Sequence, residues 1–219
     1  MKRYVVFAIA FAAMTAPGLR AQITREGQYF VQTINGFATV GALERFRLDT
    51  VGNVVVEGGA SDKVAYRLRL RVKARDLREA EARLREFDVK SRAQNGWLRL
   101  AVLPPSNIPE GPELTVTVPR ALQQVWIETR GGNVRAVDLD GDLQARSAAG
   151  RMIADRIKGR AEVRTGGGDI QIGDIGGNVR CYSGAGVIRV QSAGGESWLD
   201  TAGGEVFVHQ AISATVRAQ

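Results

Sequence analysis

The sequence predicts an all-β protein: a single-stranded β-solenoid of about five 18-residue coils, preceded by a strand-rich cap with one short helix. Three observations carry this. From Gln124 the chain repeats itself every eighteen residues without a gap, as QVWIETRGGNVRAVDLDG, DLQARSAAGRMIADRIKG, RAEVRTGGGDIQIGDIGG, NVRCYSGAGVIRVQSAGG and ESWLDTAGGEVFVHQAIS. Apolar residues alternate within each block, as in Ile170 and Ile172, and helical periodicity is absent. Glycine is 26 of 219 residues while proline is only 6, so glycine punctuates turns rather than marking a collagen-like or proline-rich chain.

The elements follow in chain order. Residues 1–21 combine Lys2 and Arg3, an apolar run from Tyr4 to Ala16 and a Pro17-Gly18 break before Ala21, the pattern of a secretory signal peptide. Residues 22–45 carry no clear period and are expected to be a linker or irregular leader. Residues 46–123 form the strand-rich capping region. It opens with FRLDTVGNVVVEGG at 46–59, which repeats the logic of WIETRGGNV at 126–134 and reads as a degenerate first coil. Val64 to Lys73 alternates cleanly, with Val64, Tyr66, Leu68, Leu70 and Val72 on one face and Arg67, Arg69, Arg71 and Lys73 on the other. A helix is predicted near 76–88, with Asp76 and Glu79 as a capping box and Leu77, Ala80, Leu84 and Phe87 as its apolar stripe. Strands near Trp97 to Leu103 and Leu114 to Val118 flank a PPSNIPEGP loop, and the solenoid repeats occupy 124–219.

Stacking the blocks assigns the core. Coils about 4.8 Å apart give each strand a parallel neighbour above and below. The inward columns then begin at Val125, Ile127, Val134, Ala136 and Leu139, and each continues every eighteen residues. Glycines at 132, 150, 168, 186 and 204 supply corners that need positive φ or close backbone approach, and Thr129, Ser147, Thr165, Ser183 and Thr201 form a hydroxyl ladder beside them. Self-similarity of this kind marks a repeat architecture in which each unit buries its apolar face only against its neighbours.

Composition excludes several function classes. One cysteine cannot form an internal disulfide, and one histidine leaves little for a metal site, so no metal or cofactor is expected. Cys181 falls in an inward column and His209 in an outward one, so they form no dyad. The whole chain has 30 basic and 23 acidic residues, but the leader takes Lys2, Arg3 and Arg20 with it. A mildly basic exported protein is not expected to bind nucleic acid, and no later stretch approaches the roughly 20 apolar residues of a membrane helix. Hexapeptide acyltransferase helices fail because six-step walks meet the wrong residues, for example Ile170 to Gly176 to Tyr182. Calcium-binding nonapeptide repeats fail because TGGGDIQIGD lacks the recurring Gly-x-Asp register.

Two constellations remain. Asp138, Arg156 and Asp174 share a corner column, placing two carboxylates ~9.6 Å apart across two coils, near the upper limit for an inverting glycosidase pair. Arg156 between them keeps both acids ionised, whereas a general acid needs a raised pKa, so a surface charge ladder is the preferred reading. Trp126 and Trp198 share an outward column, and Phe207 is outward on a later strand. Such rings stack on sugars, anchor a protein partner or cover a solenoid end. The row of Arg67, Arg69 and Arg71 either meets anionic glycan or lipid headgroups or, as is more common, is a solvated strand face crossed by acids on the next strand. With the rings, these arginines are the candidate ligand contacts.

The order of these features, with TVTVPRALQQVWIETRGGNV at 115–134 and reiterated units such as TGGGDIQI at 165–172, resembles the exported bacterial β-strand-repeat proteins grouped as the "putative adhesin" family, a domain of unknown function. The resemblance covers roughly residues 40–215 and implies a non-enzymatic protein of the periplasm, outer surface or medium, with no established site residues to carry over. The functional expectation is an adhesin-like protein binding envelope polysaccharide or a surface protein. The alternative is a carbohydrate-active β-helix enzyme using the Asp138 and Asp174 face, and a scaffold formed by edge pairing at Ser197 to Val216 is a third possibility.

Overall fold

The computed structural model describes residues 22–39, 44–103 and 111–218. The leader expected at 1–21 lies outside them, as does most of the loop at 104–112. The chain is all-β but for one helix. Its strands are β1 (Thr24–Glu26), β2 (Tyr29–Thr39), β3 (Arg45–Thr50), β4 (Asn53–Gly59), β5 (Lys63–Lys73), β6 (Asp88–Gln94), β7 (Trp97–Leu103), β8 (Glu113–Pro119), β9 (Gln124–Thr129), β10 (Val134–Leu139), β11 (Asp142–Ser147), β12 (Met152–Ile157), β13 (Ala161–Thr165), β14 (Ile170–Ile175), β15 (Val179–Ser183), β16 (Ile188–Thr201) and β17 (Val206–Ala218); α1 is Leu77–Leu84.

Pairing follows two parallel series. In the first, β9, β11, β13, β15 and the second half of β16 pair in turn, with Val125 opposite Leu143, Leu143 opposite Ala161, Ala161 opposite Val179 and Val179 opposite Ser197. In the second, β10, β12, β14, the first half of β16 and β17 do the same, from Val134 opposite Met152 to Ile188 opposite Val206. Every one of these partners is eighteen residues away, the offset of the sequence repeat. The strands β16 and β17 run through both series, with a register shift between Ala193 and Glu196, so the strands make one large mixed sheet that does not close.

The inward columns expected from the sequence are buried. Val125, Ile127, Val134, Ala136 and Leu139, with their successors from 143 to 193, form one apolar core between the two series. The step of three from Ala136 to Leu139 and from Ala154 to Ile157 is made by left-handed residues, Asp138 at φ 62° and Arg156 at φ 52°. Each turns the chain through the corner and restores the inward direction. The hydroxyl column is buried too, but it is not a ladder of hydroxyls bonded to one another. Ser147, Thr165, Ser183 and Thr201 instead donate to the carbonyls of Gly132, Gly150, Gly168 and Gly186, one unit back, at 2.8–3.0 Å. The reason is the glycine column: with no side chain there, each unit settles directly on the backbone below, and a Cβ at Gly168 would lie 2.0 Å from the Gly150 oxygen.

The amino-terminal strands extend both series rather than merely flanking them. β3 pairs in parallel with β9, and β4 with β10, so Phe46 sits opposite Val125 and Val54 opposite Val134. β7 and β8 then pair on the far side of β3 and β4. The β3–β4 unit is therefore wedged between two units that follow it in the chain. Beyond β8 the second series ends in antiparallel β5, β2 and β1, and beyond β7 the first ends in antiparallel β6.

Two expectations need correction here. Residues 22–45 are not a linker: Tyr29–Thr39 is an eleven-residue strand paired throughout with β5. Gly36 breaks its apolar alternation because the Tyr66 ring lies over that position, 2.5 Å from where a Cβ would be. The helix is shorter than 76–88, since Arg85 caps it and β6 begins at Asp88. Asp76 accepts from the Glu79 amide as a capping box requires, while the Glu79 carboxylate reaches the Arg75 amide. Ala80 and Leu84 are buried against β5 and β2, but Leu77 is exposed. Among the described residues no helix is long and apolar enough to cross a membrane.

Candidate functional site

The outward face of the first series concentrates the chain's large aromatic rings. Trp97 on β7, Trp126 on β9 and Trp198 on β16 all lie on it, and they are all the tryptophans in the sequence. Each is stacked with arginine from a neighbouring strand. Arg45 lies 4.9 Å from the Trp97 ring centre, Arg47 and Arg146 lie 4.5 and 5.4 Å from Trp126, and Arg180 lies 5.3 Å from Trp198. Trp126 and Trp97 are half-buried, whereas Trp198 is 54% exposed. Parallel pairing explains the pattern: Arg45, Arg47 and Arg180 are the direct cross-strand partners of Trp97, Trp126 and Trp198, and Arg146 lies diagonal to Trp126 on the adjoining strand.

Three recesses run along this face. One, of about 390 Å³, is bounded by Arg92, Asn95, Trp97, Arg99 and Trp126. The second, of about 270 Å³, crosses five successive strands past Gln124, Asp142, Arg160, Asn178 and Glu196 and ends at Trp198. The third, of about 280 Å³, lies on the other side of Trp198, between Arg164, Tyr182 and Arg217. The second recess is walled mainly by amides, carboxylates and guanidinium groups, while the first and third set guanidinium groups beside aromatic and other apolar surface, a mixture suited to the hydroxyl groups and flat faces of a sugar. Many carboxylates on this face are already taken: Asp49 by Arg47 and Arg99, Asp142 by Arg160, and Glu162 by Arg146 and Arg164. Arg180 and Arg92 have no carboxylate partner among the described ion pairs.

The other expected contacts are elsewhere. Phe207 is exposed on the outward face of the second series, under Arg189, and so is not brought together with Trp198. The basic row on β5 is largely engaged. Arg69 is paired with Glu26 and Glu113, Arg67 donates to Asn35 at 3.4 Å, and Arg71 stacks on Tyr29. Trp97 is the ring that the repeat pattern does not reveal, because it belongs to a strand outside the eighteen-residue register.

In the corner column the ion pairs centre on Arg156 and Asp138, and among the described ion pairs none reaches Asp174, so the expected ladder of three is not formed. Arg156 grips Asp138 with two bonds of 2.8 Å and also contacts Asp155, while Arg120 donates to Asp138 at 3.1 Å. The Arg156 hydrogen bonds hold the Asp138 carboxyl below its ordinary 3.8, the opposite of what a general acid requires. A stability prediction follows. A carboxylate held low in the folded state stabilises above the unfolded value and loses that contribution as pH falls through the folded value. The urea midpoint should therefore fall as pH drops below about 4, and Asp138→Asn, which also accepts a positive φ, should flatten that fall. An unchanged pH profile in the variant would remove Asp138 from this account.

Cys181 is fully buried and its thiol is pushed up by burial, while His209 is exposed on β17. The two are not brought together. Among the described residues no group of histidine, cysteine, aspartate and glutamate is placed to hold a metal ion.

No protein-family model matches the chain, and no curated protein matches it significantly. Among solved structures it is similar to a "putative cell adhesion protein" from Clostridium sporogenes, at 11% identity and TM-score 0.47, covering 86% of this chain and all of that one. A "putative adhesin" from Bacteroides fragilis gives 13% and 0.46, with 86% and 97% covered. A "putative lipid binding protein" from Parabacteroides distasonis gives 12% and 0.38, with 84% and 96% covered.

Proposed function

We propose that this chain is an exported, non-enzymatic binding protein, wound as a β-solenoid, that lays an extended acidic polysaccharide along the outward face of its first strand series. The observation that carries the reading is the gathering of Trp97, Trp126 and Trp198 on that one face, in line with three recesses that carry hydrogen-bonding side chains. Strands about 4.8 Å apart repeat their side chains at a spacing comparable with one sugar unit of an extended polymer. Exposed tryptophan offers the flat apolar surface on which a pyranose ring stacks, and arginines such as Arg180 and Arg92 favour a polymer bearing carboxylates or sulfates. Against the enzymatic alternative stands the ion pair at Asp138, which Arg156 holds ionised and so unsuited to the part of general acid.

The test is binding of the purified chain to neutral and uronate-containing polysaccharides by isothermal calorimetry, with mass spectrometry of the recovered polymer. Retention of the acidic polymer, uncleaved and weakened by salt, is expected. Trp198→Ala should lower affinity about tenfold, the loss of a stacking contact of about 1–1.5 kcal/mol, while Phe207→Ala on the other series should change little. Binding indifferent to Trp198, or shortened product chains, would overturn the reading.

A further inference from the structure

We infer that β17 is the contact surface for a second copy of this chain, the two β17 edges pairing antiparallel about a two-fold axis to close a discrete dimer. Among the described residues β1, β6 and β17 have a strand partner on one side only, and β2 is flanked by β1 only over Tyr29–Val31; these edges differ sharply. β1 has three residues, two of them Arg25 and Glu26, and β6 carries Asp88, Lys90 and Arg92 at alternate positions. Short length and charge are the ordinary protections of an edge. β17 has neither: it runs for thirteen residues without proline, lysine or acid, and its one permanent charge is Arg217.

The core is also open there. Ile188, Val190 and Ala193 are buried in β16, yet their successors Val206, Val208 and Ala211 are only partly covered. Ile212 and Val216 are 77% and 47% exposed. The opposite end is sealed by α1, which sets Ala80 and Leu84 against β5 and β2. A row of unpaired backbone groups beside exposed aliphatic side chains fits another strand of the same character.

Two features make that strand a second β17. An edge that pairs with itself must not repel itself, and Arg217 sits near one end, so an antiparallel mate carries its own Arg217 to the opposite end. A two-fold axis pairs identical strands antiparallel and closes after two copies. Head-to-tail growth would seat β17 against β2, β1 or β6. There the core is already covered by α1 on one side and the β6 edge is charged on the other, so β17 meets no second open core. The inference stands on the edge strands alone and does not depend on the polysaccharide reading.

Sedimentation velocity of the purified chain over a range of concentrations tests it. A reversible monomer–dimer equilibrium is expected, with Ile212→Lys reducing it to monomer at the concentrations where the parent is dimeric. Leu77→Lys, also exposed but on the capped end, should leave the dimer intact. Ile212→Lys should keep its circular dichroism, since the residue is mostly in solvent. Because Cys181 is buried, Ser213→Cys near the middle of the strand introduces the one accessible thiol and should cross-link the dimer under oxidation. A chain that stays monomeric and instead offers this edge to a different protein, an assembly that grows beyond two copies, or a dimer indifferent to Ile212→Lys would each overturn the proposal.

Discussion

Gly150→Val is expected to destabilise the fold by about 4 kcal/mol, the sum of two separate conflicts. Gly150 has φ 118°, a conformation closed to β-branched residues, and holding one there costs about 1–3 kcal/mol. Its Cβ would also lie 2.3 Å from the Gly132 carbonyl oxygen, a backbone atom that cannot swing aside. Overpacking of that kind costs about 1–3 kcal/mol more. The displaced carbonyl is the acceptor of the Ser147 hydroxyl, so the strain spreads into a buried hydrogen bond. The urea midpoint, followed by tryptophan fluorescence, measures the effect. Gly167→Ala is the matched control, because nothing lies within 4 Å of a Cβ there, and its midpoint should hardly move. Equal effects of the two changes would refute the account of the glycine column.

Ser183→Ala should cost about 2–4 kcal/mol although it removes one oxygen atom. Ser183 is fully buried, donates to the Gly168 carbonyl at 2.8 Å and accepts from the Gly186 amide at 2.8 Å. Alanine leaves both backbone groups without that partner, and a buried polar group so deprived costs about 1–3 kcal/mol. Ser183→Thr should be nearly neutral, because Thr165 and Thr201 occupy the same position in the adjoining units with the same bond. The comparison separates the hydroxyl from the volume of the side chain. A threonine variant as unstable as the alanine one would show that packing, not hydrogen bonding, governs the column.

These two columns are legible in the amino-acid sequence because each unit meets its neighbours at one fixed offset, so residues that stack also align along the chain. The corner step from Ala136 to Leu139 is legible for the same reason. What lies outside the offset is harder to read. β2 escapes because Gly36 yields its place to the Tyr66 ring, so the strand's alternation is completed by another strand's side chain. The capping box locates α1, but Leu77 fits the apolar stripe by spacing and still faces solvent, since the helix rests on β5 and β2 by Ala80 and Leu84. At the candidate site the shared column joins Trp126 with Trp198, while nothing in the sequence joins Trp97 to either. Its strand reaches that face only through β3, at a separation that carries no period.

The wedged β3–β4 unit bears on how the molecule comes together in time. The units from β9 onward contact one another across short, equal stretches of chain, so each closes a small loop and can zip onto the last. β3 and β4 gain their neighbours only when distant strands arrive on both flanks, a contact of high order that is slow to form. A chain delivered from its amino terminus therefore exposes residues 45–59 early and buries them late. During that interval their apolar side chains lack the neighbours that cover them in the folded chain, and the carboxy-terminal units, last to be made, are the first able to fold.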